Sequence, residues 1–265
     1  MTFDRSVLAI IIELAMVTFL IGMLIGFVGA GGAGVAVAIL TSMFGLPVHT
    51  AIGTALAAML FVTVSGAISH YREGNVDRRL GFVVGLSGAA GAIVGAGSSQ
   101  AVSDRTLGIA AGLALWFLAA LVWIRLQLTD RGGFVRESAW DAHLRRPPRE
   151  WAKGIGIGAT GGIAAAFLGV GMAPFLQLGF LTVHGLPLRQ TVGTTMLTLV
   201  FISAAGGIAM ARYGDVSPSH LIGLTLGLAS GAYIGARFTR RAPRNVLRGA
   251  VVIIPFVAGS LLLFR

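Results

Sequence analysis

Two glycine-rich breaks hold the residues best suited to bind a ligand. Gly29, Gly31, Gly32 and Gly34 precede one short apolar run, and Gly169, Gly171 and Pro174 precede another. Glycine lets the backbone leave the helical ladder. The helix that follows starts with N–H groups lacking intrahelical acceptors and with the positive end of its dipole. Inside a membrane that combination suits an anion, and so does close packing of small residues against a neighbouring helix. Pro174 fits a first helical turn, where no N–H is needed. Each break is followed by Gly-Leu-Pro and then Gly-Thr, at 45–54 and 185–194. Pro47 and Pro187 end the short run and set a turn. Thr50, Thr54, Gln190, Thr191, Thr194 and Thr195 then fall in the first turns of the next helix. Their hydroxyls and amide can donate to an oxyanion, or cap and back-bond their own helix. Thr54 and Thr194 stand out because they are repeated. His49 and Arg189 occupy equivalent positions, and His184 precedes Gly185, so each is an entrance candidate for an anion. Glu13 is the one acid well inside an apolar stretch, which makes it a proton-relay candidate or a residue near the outer interface.

These residues belong to a chain that contains itself twice. Phe27 to Ala96 and Phe167 to Ala236 align without a gap at an offset of 140, with 21 of 70 positions identical. The chain has 265 residues, 55% of them apolar and only 11% charged, against about 25% charged in soluble domains. Apolar runs recur along its whole length, which predicts an all-α polytopic membrane protein in a lipid bilayer. The first apolar run leads straight into the repeat, unlike a cleaved signal peptide. The absence of cysteine excludes thiol chemistry and disulfides. The net charge of +10 sits mainly in short loops, so nucleic acid is not an expected partner. No catalytic motif, carboxylate pair within a membrane segment or phosphate loop is present, so neither catalysis nor a metal or cofactor site is expected.

Most of the apolar runs approach the ~20 residues needed to span a bilayer. Residues 33–44 and 172–183 are too short and predict re-entrant segments. Each half therefore reads as a re-entrant helical hairpin followed by three spanning helices, which makes the second half an inverted repeat of the first. This order gives a first repeat over 1–126, a linker over 127–150 and a second repeat over 151–265. Inversion places 16 of the 20 Arg and Lys residues on one side, which is then cytoplasmic together with the linker, and puts both termini outside.

The order Phe27-Val-Gly29-Ala-Gly31-Gly32, Gly45-Leu-Pro47, Gly53-Thr54 and Tyr71-x-x-Gly74-x-Val76 resembles the sulfite exporter TauE/SafE family. The second half repeats it as Phe167 to Gly171, Gly185-Leu-Pro187, Gly193-Thr194 and Gly214-Asp215-Val216. The resemblance implies an inner-membrane transporter of sulfite, organosulfonates such as sulfoacetate, or related small sulfur anions. Export by alternating access, with the halves rocking about the hairpins, is the expected mechanism. A proton-coupled importer, a carrier of a metal cation or thiol compound, and a non-catalytic subunit of a membrane complex are the alternatives, and a homodimer is compatible with all of them. Two departures from strict repetition stand out: Gly34 faces Pro174 in the alignment, and Gly32 faces Met172.

Overall fold

The structure is a computed structural model that describes residues 5–28, 32–130, 148–238 and 244–264. The described residues form helices and no strand. The first half contributes α1 (Arg5–Val28), α2 (Ala33–Ser42), α3 (Val48–Arg72), α4 (Arg78–Ser99) and α5 (Asp104–Asp130). The second contributes α6 (Pro148–Leu168), α7 (Ala173–Thr182), α8 (Leu188–Arg212), α9 (Pro218–Phe238) and α10 (Arg244–Leu263). Helices α2 and α3 begin and end 140 residues before α7 and α8, so the repeat extends to the helix boundaries.

Five described helices are long and apolar enough to cross a bilayer: α3, α4, α5 through Trp123, α6, and α8 from Arg189. The 25 residues of α3 span roughly 37 Å at 1.5 Å per residue. The short helices α2 and α7 have 10 residues each, or about 15 Å, half the hydrocarbon thickness. The expected hairpins thus have unequal arms, because α6 is itself of spanning length. Polarity is distributed for a lipid surrounding. Leu86, Ile93, Phe117 and Ile208 are exposed, while Thr54, Thr63, Thr194 and Thr198 are fully buried.

The two halves interdigitate. Helix α1 packs on α9, α4 on α6 and on α8, α3 on α8, and α5 on α10. Lipid supplies no hydrophobic drive between helices, so close backbone approach and hydrogen bonds must hold them. Glycines permit that approach: Gly91 faces the Ala159 carbonyl of α6, and Gly231 faces the Phe19 carbonyl of α1. Helices α3 and α8 run antiparallel, with Gly53 near the start of α3 against Met210 near the end of α8, Gly66 against Met196, and Gly193 against His70.

The repeated Gly-Thr pair explains this register. Helix α3 ends in a left-handed glycine, Gly74 (φ +73°), and α8 in Gly214 (φ +82°). Both ends form the same turn, closed by Asn75 N–H to His70 O at 2.9 Å and by Asp215 N–H to Met210 O at 3.0 Å. Each turn lies on the Gly-Thr of the other half. Ser217 N–H donates to Thr54 Oγ1 at 3.0 Å, and Asp77 N–H donates to Thr194 Oγ1 at 3.0 Å. A Cβ on Gly53 would overlap the Asp215 carbonyl oxygen, and one on Gly193 the Asn75 carbonyl oxygen. Glycine admits the turn and threonine bonds it.

Removing either hydroxyl leaves a partly buried N–H unpaired, which costs about 1–3 kcal/mol. Thr54→Val and Thr194→Val are therefore each expected to lower thermal stability in detergent, and Thr54→Ser to restore it. The two sites lie at opposite ends of α3, so the double variant should show the sum of the single losses.

Candidate functional site

The two short helices start beside each other. A Cβ on Gly34, in the first turn of α2, would lie 3.2 Å from Val170 Cγ1 in the turn ahead of α7 and 2.5 Å from Leu115 Cδ2 of α5. Gly32 precedes α2 in a helical conformation (φ −70°, ψ −9°), and no side chain caps the helix. Met172 precedes α7 (φ −74°, ψ 22°), again without a side-chain cap, and Pro174 lies in the first turn. Gly169 is left-handed (φ +65°) and packs on Ile52 of α3. Gly32, Gly34, Gly169, Gly171 and Pro174 are all buried. Gly29 and Gly31 lie outside the described residues. The described part of the site is thus two uncapped helix starts brought together in a buried place, where N–H dipoles can face a negative group.

The threonines divide by role. Thr195 Oγ1 donates to Thr191 O at 2.7 Å, Thr198 Oγ1 to Thr194 O at 2.9 Å, and Thr191 Oγ1 to Leu186 O at 3.2 Å. Their hydroxyl protons are taken up by nearby backbone carbonyls. Thr54 and Thr194 accept from the opposite half, so the two best sequence candidates are first of all structural ties. Gln190 is buried and Thr50 half-buried, and among the described hydrogen bonds neither side chain takes part. Those two retain donors for a ligand.

The entrance candidates sit in different surroundings. His49 is held by Asp104 Oδ1, 2.6 Å from Nδ1, and by Ser99 O, 2.9 Å from Nε2. Asp104 is the first residue of α5, so the pair joins the start of α3 to the start of α5. Gln100 extends this end of the molecule to the second half by donating from Nε2 to Asp215 Oδ2 at 2.8 Å. Arg189 is exposed, and His184 is buried against Phe180, with ring centroids 6.2 Å apart. Glu13 is exposed on α1.

The sequence reading missed Gln177, which is 1% exposed. It lies in α7 where α2 has Val37, and its signal was a lone amide in a short apolar run between two leucines. It also missed Asp104 as the partner of His49, because a separation of 55 residues leaves no local signature.

The ten described helices, mostly apolar and five of them long enough to cross a bilayer, define an all-α polytopic membrane protein. The chain belongs to the sulfite exporter TauE/SafE family, whose model matches residues 14–262. It is 38% identical over 249 residues to the probable membrane transporter protein YdhB of Bacillus subtilis, covering 94% of this chain and 98% of that protein. It is 27% identical over 241 residues to the probable membrane transporter protein ORF9 of a Sinorhizobium species, covering 89% and 87%. A third relative, the probable membrane transporter protein YjnA of Bacillus subtilis, is 23% identical over 254 residues. No solved structure matches the chain.

If the geometry sorts the polar side chains correctly, substitutions in α8 should separate. Thr191→Val and Thr195→Val remove hydroxyls that serve the backbone, and should change solute flux in proteoliposomes by less than about twofold. Gln190→Leu removes a donor that remains available. It should lower flux by about 10- to 100-fold, the range for losing one hydrogen bond to a charged group, at an unchanged melting temperature.

Proposed function

We propose that the protein is a secondary transporter that exports a small sulfur-containing oxyanion, sulfite or an organosulfonate such as sulfoacetate, across the cytoplasmic membrane. The observation that carries this reading is the convergence of two uncapped helix starts, at Gly32 and Gly34 and at Met172 and Pro174, in a buried place. Such N-termini suit an anion whose charge is spread over several oxygens. In this reading Gly29, Gly31, Gly32, Gly34, Gly169, Gly171 and Pro174 form the backbone cradle. Thr50 and Gln190 add side-chain donors, while Thr54, Thr191, Thr194 and Thr195 shape the wall. Arg189, His184 and His49 line the approaches.

The halves are proposed to be an inverted repeat, with boundaries at 1–126 and 151–265. The antiparallel run of α3 against α8, its own counterpart, supports inversion. The concentration of Arg in the loops at 71–79, 125–153, 183–189 and 237–248 supports a cytoplasmic linker and external termini. Electrostatics favours the outward direction. With the cell interior negative, an exiting monoanion gains about 2.3 kcal/mol per 100 mV, so export needs no coupled ion. The exposed position of Glu13 gives a proton relay no support.

The test is flux through the purified protein in liposomes preloaded with sulfite. A saturable efflux is expected that sulfoacetate competes for and that an inside-negative potential accelerates. Gly171→Leu, which fills the turn ahead of α7, should abolish the flux while leaving a monodisperse, folded protein. Absence of flux for both anions in the wild type would end this reading.

A further inference from the structure

We infer that the body that moves during transport is the antiparallel α5 and α10 pair, swinging against a block made of α1, α3, α4, α6, α8 and α9. Neither sequence repeat moves as a unit. The inference rests on the transport reading and goes beyond it, because rocking of one repeat against the other was the expectation from the sequence.

The block is tied across the repeats at every layer. Helices α3 and α8 hold each other's following turns through Thr54 and Thr194. Helix α4 meets α8 where Gly81, Gly85 and Gly88 lie under Leu197, Phe201 and Ile202. Backbone approaches join α4 to α6 and α1 to α9. Sliding one repeat past the other would break all of these at once and take the threonine acceptors from the partly buried Ser217 and Asp77 N–H groups.

The α5 and α10 pair is equally well joined to itself. Trp116 stacks on Phe256 with ring centroids 5.2 Å apart, and its Nε1–H donates to Phe256 O at 3.2 Å and to Ser260 Oγ at 3.3 Å. The pair meets the block differently. At one end of the boundary an open cleft of about 430 Å³ separates Pro47 and Val48 from Asp104, Gly108, Leu262 and Leu263. The one short polar tie described at that boundary is His49 to Asp104. Helix α5 touches α3, α6 and α7 only sparsely, and α10 touches α1 only sparsely, whereas contact within the block and within the pair is dense, so this boundary, tied by one ion pair, is where relative motion costs least. The short helices α2 and α7 lie along the same seam: Leu115 of α5 covers Gly34 of α2. A swing of the pair therefore uncovers the start of α2, which lies against Val170 in the turn ahead of α7. The end of the molecule with His49 and Asp104 is latched. The equivalent positions in the second half are Arg189 and Arg244, two cations that cannot form such a pair.

The chain has no cysteine, so disulfide pairs can be introduced without a background. Gly66→Cys with Met196→Cys joins α3 to α8, that is, repeat one to repeat two inside the block. The two Cβ positions lie 3.9 Å apart, within the range a disulfide needs. Val48→Cys with Gly108→Cys joins α3 to α5, both in repeat one, across the seam, where Val48 Cγ2 lies 3.6 Å from a Cβ on Gly108. After oxidation the first pair should keep sulfite efflux near its reduced value, and the second should lose it until a reductant is added. Loss of flux in the first pair, or retention in the second, overturns the inference. A readout that needs no substrate separates this outcome from failure of the transport reading. Spin labels at the exposed Ile68 and Ile208, in α3 and α8, should give one narrow distance. Labels at Ile68 and Leu113, in α3 and α5, should give a broad or double distribution. The reverse pattern rejects the partition even if the wild type carries neither sulfite nor sulfoacetate.

Discussion

The reciprocal bond between a Gly-Thr pair and the turn of the opposite half is the constraint on which the rest of the architecture depends. The partly buried N–H groups of Ser217 and Asp77 need acceptors, and those acceptors are Thr54 and Thr194 of the other half. The turns approach only because Gly53 and Gly193 lack side chains. Each half leaves one N–H of the turn after α3 or α8 to a threonine of the other, so the two halves are tied reciprocally. The antiparallel register of α3 and α8 then fixes where α4 and α9 begin, and through them where α6 and α1 pack.

The repeat has diverged unevenly. Residues that shape the backbone recur in both halves: the left-handed glycines Gly45 and Gly185, Gly74 and Gly214, the prolines Pro47 and Pro187, and the Gly-Thr pairs. Residues in the short helices and at the entrances do not. Gly34 becomes Pro174, Val37 becomes Gln177, and His49 becomes Arg189. A scaffold needs both copies to be alike because each supports the other. A ligand needs no such symmetry, since one small anion cannot fill two equivalent sites at a single seam.

This division also explains what the sequence made legible. Helix boundaries were readable because the repeat dates every element twice, and the half-length of α2 and α7 followed from run length alone. The Gly-Thr motif was found but read as a ligand site, because its partner turn lies 163 residues away for Thr54. Spacing within a helix cannot reveal a bond between distant elements. The outward aspect of Glu13 was equally hidden, since α9 decides which face of α1 is covered, through contacts such as Gly22 against the Leu228 carbonyl. Gln177 escaped because a single amide scarcely changes the hydropathy of an apolar run, although burial makes it prominent.

A neutral centre with cations at the approaches also fits the energetics of carrying a charge. An anion leaving water loses a large hydration energy, and a buried arginine would repay it with an interaction strong enough to trap the ion. Helix N-termini, an amide and a hydroxyl repay it in smaller portions, none of which leaves an uncompensated buried charge when the ligand departs. Arg189, exposed beside the Gly-Leu-Pro turn of α8, can concentrate anions at its mouth without being buried with them. In the proposed mechanism release is then governed by the swing of a helix pair across a sparsely packed boundary rather than by breaking a buried ion pair. The single ion pair at that seam, His49 with Asp104, joins protein to protein and sits at one end, where it can set which mouth rests closed.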